Sequence, residues 1–253
     1  MPEESFIPEQ DYPDYFSKLN GLRARVAAAL PLEPRMRVLD VATGSAYFAI
    51  ELAKRDPTLK IVGIDSSDRS IKIAGHNIRD RWLEPVVSLI KMDATKLEFP
   101  ASTFGLATSF LSLDDVHMTR EAFHEVARVL KPRGYFCFTV MPPEEAETPA
   151  QRLECEVLSF IRGSTWLPAI RYQEFLRGAG FTLVKREVHY THQKMSPEQA
   201  KRELASIHEQ TSKTYGAVAN TLEETWSRFG AEIGEHGLGY CSRVVLMIAR
   251  RNT

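Results

Sequence analysis

Five short, β-branched apolar runs, "MRVLDVA", "KIVGID", "VVSLIKM", "GLATSFL" and "YFCFTVM", alternate with helically patterned segments through the first half of the chain. This alternation restricts the fold more than any other feature, because strands separated by helices pair in parallel and need helices to cover the sheet. Ala46, Ala49, Ile50 and Ala53 fall at helical spacing, as do Phe123, Val126, Ala127 and Leu130, and each set predicts a helix with one sheet-facing side. The "LKPRG" stretch at 130–134 stops the second of these helices, since proline cannot continue it and glycine permits the turn into the next strand.

Beyond Met141 the pattern changes. "PPEEAETPAQ" reads as a proline-rich acidic loop, followed by a helix around Leu153 to Ile161 and another from about Tyr172 to Ala179. Two further strand-like runs, "FTLVKREVHY" and "SRVVLMIARR", are separated by a long segment in which Tyr215, Val218, Ala219, Leu222, Trp226 and Phe229 repeat with helical spacing. That stripe predicts a helical insertion covered by the body of the protein or by a second subunit, so a homodimer is an open expectation. The 253 residues, 43% of them hydrophobic, suit a single α/β domain spanning 1–253 with helical cap elements near 1–30, 142–165 and 196–236.

A formal net charge of −1 gives no global field for collecting nucleic acid. Cys137, Cys155 and Cys241 are odd in number and widely spaced, which suggests neither a disulfide framework nor a zinc site and makes the cytoplasm the expected compartment. The acidic N-terminus has no apolar core segment, and the run from Val244 to Ala249 is too short to cross a bilayer, so no membrane insertion is expected.

In an open parallel sheet, ligands bind at the carboxyl ends of the strands near the reversal of strand order. The first strand ends at Asp40, and "ATGSA" must then turn sharply into a helix N-terminus, where glycine is favoured because positive φ is allowed and a ligand can come close. Gly44 meets that need, while Ala42 and Ala46 each add one methyl group. Asp65 closes the second strand and could accept hydrogen bonds from both hydroxyls of a ribose; Asp93 follows the third, where a carboxylate can receive an exocyclic amine. Any one of these acids alone is more simply a cap or a turn residue, but three ending successive strands favour a binding site.

With these motifs in place the sequence resembles the class I S-adenosylmethionine-dependent methyltransferases, in particular the small-molecule group that includes the ubiquinone and menaquinone biosynthesis enzymes. The resemblance covers about residues 36 to 141: "VLDVATGSAYFAIELAKR" as the cofactor loop, "IVGIDSS" as the ribose acid, "MDATKLEFP" as the adenine-side acid, and "EAFHEVARVLKPRGYFCF" as the helix, turn and fifth strand. "WLPAIRYQEFLRGAGFTLVKREV" resembles the sixth-strand region. The resemblance implies a doubly wound, Rossmann-like sheet of seven strands, the last inserted antiparallel between the fifth and sixth. It implies S-adenosyl-L-methionine as cofactor, held by Asp40, Ala42, Thr43, Gly44, Ser45, Asp65, Ser66, Asp93, Ala94 and Phe110. The family pattern has glycine where this chain carries Ala42 and Ala46.

Methyl transfer requires the enzyme to position two molecules, exclude water and, for a hydroxyl acceptor, remove a proton. In "FLSLDDVHM", Asp114, Asp115 or His117 is a candidate base or substrate contact, although an aspartate there also suits a helix cap. Tyr12, Tyr15 and Phe16 could fold over the cofactor as a lid or simply anchor the terminus, and Trp166 is a candidate substrate contact. His76 reads as a surface or packing residue, and His189 and His192 lack the spacing of a metal site. The expected activity is methyl transfer to a small apolar or aromatic molecule. The rivals are RNA or protein methylation, for which no basic tract or Asn-Pro-Pro-Tyr-like motif is present, and a use of the fold without methyl transfer. A nicotinamide dehydrogenase would need a GxGxxG loop that the chain lacks.

Overall fold

The computed structural model describes residues 4–6, 19–113, 119–163, 166–215 and 218–253. Strand β1 (Ser5–Phe6) precedes helix α1 (Asn20–Ala29), after which come β2 (Arg37–Val41), α2 (Tyr47–Arg55), β3 (Lys60–Asp65), α3 (Asp68–Arg79), β4 (Val87–Lys91), β5 (Phe104–Phe110), α4 (Thr119–Val129) and β6 (Leu130–Val140). A short turn of tighter helix, Pro143–Glu145, leads to α5 (Pro149–Arg162), α6 (Ala169–Gly178), β7 (Phe181–Tyr190), β8 (Gln193–Met195), α7 (Pro197–Tyr215), α8 (Leu222–His236), β9 (Leu238–Gly239) and β10 (Arg243–Arg251). These elements form two compact units. The sheet unit comprises Asn20–Val140, Ala169–Glu187 and Val245–Thr253, and the helical unit draws on Met141–Pro168, Val188–Val244 and the described residues before Asn20.

The main sheet has the order β4-β3-β2-β5-β6-β10-β7, with β10 antiparallel to β6 from Val245 opposite Val140 to Arg250 opposite Tyr135. This is the seven-stranded, doubly wound α/β arrangement expected from the resemblance, with the last strand lying between the fifth and sixth. The parallel strands run outward in both directions from β2, and crossovers of the usual right-handed sense then place helices on opposite faces of the sheet. Central strands covered on both faces have no reason to alternate, and the last four residues of β2 are all buried, as are the last five of β6. Phe123 of α4 makes edge contacts with Phe136 and Phe138 of β6 and with Phe175 of α6, joining helices and sheet in one aromatic core. The β2-to-β5 boundary, where strand order reverses, is therefore held rigidly from both sides.

The helical unit departs from the single apolar stripe read in the sequence. Val218 and Ala219 lie outside any helix, and the stripe is divided between α7 and α8. The division has a local cause: Thr221 starts α8 with a reciprocal capping box, accepting from the Glu224 N–H while Glu224 accepts from the Thr221 N–H. Part of the acidic segment read as loop is also helical, because Thr148 caps α5 and Pro149 occupies its first turn. A small sheet of order β1-β8-β9, not expected from the sequence, completes the unit. Its strands are two or three residues long, too short for an alternation pattern to register. Among the described residues no helix is long and apolar enough to cross a membrane.

Strand β9 lies close against α5. A Cβ on Gly239 would stand 2.6 Å from the Glu154 carboxylate and 2.8 Å from the Ala150 carbonyl oxygen, and the second of these is backbone that cannot retreat. Glu154 is buried and accepts the Cys241 N–H at 2.6 Å, so the same contact holds the turn after β9. Gly239→Ala is accordingly expected to destabilise the protein by about 1–3 kcal/mol, read as a lowered urea midpoint. An unchanged midpoint would mean that β9 does not pack this closely.

Candidate functional site

Strands β2, β3, β4 and β5 end at the same edge of the sheet, and every described cofactor candidate of the sheet unit lies there: Asp40 in β2, Ala42 to Ser45 in the following turn, Asp65 and Ser66 after β3, Asp93 and Ala94 after β4, and Phe110 ending β5. The turn after β2 has an alternating backbone. Ala42, Gly44 and Ala46 all have positive φ, at 52°, 54° and 61°. These are the positions at which the resemblance called for glycine, so the alanines adopt the left-handed conformation rather than remodel the turn, at a cost of about 1–2 kcal/mol each. Ala46 then serves as the N-cap of α2 without a side-chain bond, and its own N–H is satisfied by the Thr43 carbonyl at 2.8 Å.

Several side chains hold this conformation. Asp40 is 1% exposed, and both of its carboxylate oxygens accept threonine hydroxyls, from Thr43 in the turn at 2.6 Å and from Thr108 in β5 at 2.7 Å. It acts by positioning the turn against the next strand. Asn77, on the buried side of α3, donates to the Ser45 carbonyl at 3.0 Å. Asp65 accepts the Gly44 N–H through one oxygen at 2.9 Å and the Ser67 N–H through the other at 2.9 Å, so the ends of β2 and β3 are tied together through this carboxylate. Thr108 and Asn77 were missed in the sequence. Each leaves a trace there, as a polar residue within a buried run: "ATS" in β5, and Asn77 between Ala74 and Ile78.

The site is open where a ligand would need it. A Cβ built on Gly44 would meet nothing within 4 Å among the described residues, so these leave the backbone of the turn approachable. Asp93 is exposed and uses one oxygen for the Thr95 N–H and hydroxyl, both at 2.8 Å, leaving the other directed to no donor among the described residues. Phe110 stacks on Phe48 with ring centroids 4.9 Å apart, giving the end of β5 an aromatic wall. Tyr12, Tyr15, Phe16, Asp114, Asp115 and His117 lie outside the described residues, and Trp166 belongs to the helical unit, where it is 6% exposed. His76 is a surface residue paired with Asp80 at 3.1 Å. Among the described residues no group of acids, histidines and cysteines could hold a metal ion.

A family model described as a methyltransferase domain matches residues 32–224. The demethylmenaquinone methyltransferase of Deinococcus radiodurans is 35% identical over 121 residues, covering 48% of this chain and 49% of the relative. The ubiquinone/menaquinone biosynthesis C-methyltransferase UbiE of Geobacter sulfurreducens is 32% identical over 128 residues, covering 49% of this chain and 47% of the relative. The chain thus spans about half the length of these curated relatives. Among solved structures, the [4+2]-cyclase SpnF superposes with a TM-score of 0.70 at 24% identity, covering 100% of this chain and 89% of its own. Geranyl diphosphate C-methyltransferase from Streptomyces coelicolor, solved with S-adenosyl-L-homocysteine, gives a TM-score of 0.62 at 13% identity over 96% of this chain and 83% of its own. Both structures share the fold.

Burial raises the Asp40 carboxyl to about 6, against the lowering effect of the Thr43 and Thr108 hydroxyls and with a further push from the neighbouring charge of Asp65. A carboxyl raised in the folded state favours its neutral form there, so the penalty for ionising it is absent below the ordinary aspartate value of 3.8 and complete above about 6. Folding stability therefore falls as pH rises through this window, by an amount on the order of 3 kcal/mol from this group. Asp40→Asn keeps the shape without the charge and should flatten the pH dependence of the urea midpoint between pH 4 and 6. A variant as steeply pH-dependent as the parent would show that Asp40 is not the group responsible.

Proposed function

Because the chain belongs to the methyltransferase domain family, whose model spans residues 32–224, we propose that it transfers a methyl group from S-adenosylmethionine to a small apolar or aromatic molecule. The observation that carries this reading is the turn after β2, whose left-handed residues 42, 44 and 46 keep the glycine-type path, with Gly44 uncovered by the described residues. The chemistry of the residues at the sheet edge supports this cofactor. S-adenosylmethionine supplies, when bound, an electrophilic methyl group on a sulfonium centre. Asp65 offers acceptor-only oxygens suited to a ribose diol, Asp93 suits an exocyclic amine, and Ser66 and Ala94 flank them. Asp40 and Thr43 set the turn, Ala42 and Ser45 complete it, and Phe110 with Phe48 closes one side with apolar surface.

The acceptor side rests on chemistry more than on geometry. A hydroxyl nucleophile would have to lose a proton, and Asp114, Asp115 or His117 is the proposed base; an activated carbon or a thiol would need none. Tyr12, Tyr15 and Phe16 are proposed as a lid, and Trp166 as a substrate contact. The two bacterial relatives are named for demethylmenaquinone and for ubiquinone and menaquinone biosynthesis, which supports an aromatic, quinone-type acceptor. A second reading, a use of the fold without methyl transfer, is favoured by one observation: Ala46 is fully buried at the start of α2 where the family pattern has glycine. The likeness of fold to a protein named as a cyclase makes that reading concrete.

Calorimetric titration with S-adenosylmethionine and with S-adenosylhomocysteine tests the proposal. Micromolar binding of both is expected, weakened about 10- to 100-fold by Asp65→Ala, since hydrogen bonds to a charged acceptor are lost. Absence of heat with either ligand, on a sample whose circular dichroism shows it folded, would sink the methyltransferase reading and leave its rival.

A further inference from the structure

We propose that the helical unit carries a binding pocket of its own for a planar aromatic carboxylate. The inference goes beyond methyl transfer and stands whether or not the sheet unit binds S-adenosylmethionine. A cavity of about 470 Å³ lies wholly within this unit, lined on its apolar side by Phe160, Phe229, Trp166 and Pro143 and on its polar side by residues including Asn220 and Arg228. That volume and that mixture of aromatic walls with a few polar groups are those of a small-molecule site.

The polar groups say what the ligand must carry. Trp166 is 94% buried, and its indole N–H is buried without any hydrogen-bond partner. Buried donors are usually paired, and among the buried polar atoms left without a partner this one belongs to a residue that lines the cavity, where a ligand can supply the acceptor. Arg228 holds its guanidinium 5.0 Å from the centre of the Phe160 ring and 5.2 Å from that of Phe229, and it makes no ion pair or hydrogen bond among the described residues. The cavity thus offers one neutral and one cationic donor beside an edge-to-face pair of aromatic rings. A carboxylate on a flat aromatic body satisfies all three, and the planar guanidinium fork is suited to it. Glu156 also lines the cavity but is solvent-exposed, where its repulsion is screened.

The pocket is also built. At its base the end of α5 is fastened to the segment before α8: Asn220 donates to the Phe160 carbonyl at 2.7 Å and the Ala219 N–H to that of Ile161 at 3.1 Å. Gly163 closes α5 in the left-handed conformation, and a Cβ there would collide with that of Ala219, so no larger residue fits this joint. The cavity walls therefore do not depend on a ligand to bring them together.

The probes are 2-naphthoate and its uncharged analogue 2-naphthamide, added to the full chain without S-adenosylmethionine and followed by the indole N–H resonances in ¹⁵N-correlated spectra. Both should shift the Trp166 resonance, identified by its absence in Trp166→Phe, and naphthoate should bind about tenfold tighter, as expected for a charge-assisted contact. Arg228→Gln should bring naphthoate down to the affinity of the amide; the exposed side chain makes this variant safe for folding. Ser159→Trp, which fills the cavity, should abolish binding of both. No saturable shift at Trp166, or affinities that ignore Arg228→Gln and Ser159→Trp, would overturn the proposal. Binding of S-adenosylhomocysteine in the same sample separates this outcome from failure of the methyltransferase reading.

Discussion

The turn that leaves β2 is the constraint on which the candidate site depends. Three residues in the left-handed region, separated by single right-handed or extended ones, reverse the chain tightly enough to bring the Gly44 N–H onto the carboxylate at the end of β3. Such a path is costly for alanine, and it persists because its neighbours determine it from several directions: Asp40 through Thr43, Asn77 through Ser45, and Asp65 through Gly44. Remove the left-handed steps and the helix α2 would start elsewhere. The open face above Gly44 would then be lost with it.

The burial of Asp40 follows from the same geometry. A carboxylate in the centre of a parallel sheet, at the strand-order reversal, is far from water, and among the described residues the donors that reach it are hydroxyls from the turn and from β5. The outcome is a group whose neutral form the fold favours, at a place where an ionised one would cost stability. A second buried acid, Glu154 in the helical unit, is pushed up by burial to about 7 although the Cys241 and Ser242 N–H groups hold it down. Both acids fasten a chain reversal to a neighbouring element. Both are buried, and this separates them from Asp65 and Asp93, which are partly or wholly exposed at the strand ends.

Much of the sheet unit was legible in the sequence because its elements repeat the pattern that burial on two faces demands: continuous apolar runs for β2, β5 and β6, and helical stripes for α2 and α4. The strand order came from the resemblance, since periodicity says nothing of which strands are neighbours. The helical unit was less legible. Helical spacing continued from 215 through 229, and the interruption depended on a cap at Thr221 whose signature, Thr followed three residues later by Glu, is common in loops. Strands as short as β1 and β9 leave no alternation at all. In the site, the acids stood out as residue types at strand ends, whereas Thr108 and Asn77, which set their surroundings, are distant in sequence from the groups they hold. The positive φ at Ala42 and Ala46 was not readable from alanine itself.

These two alanines already occupy the conformation that glycine would take, and on the proposed function their methyl groups leave the cofactor site open. The affinity of Ala42→Gly and Ala46→Gly variants for S-adenosylhomocysteine, measured beside the parent chain, tests this most directly. The predicted result is binding by all three proteins with constants within about threefold of one another, a difference under about 0.7 kcal/mol. Binding that appears only when glycine replaces one of the alanines, or that tightens by tenfold or more, would contradict it.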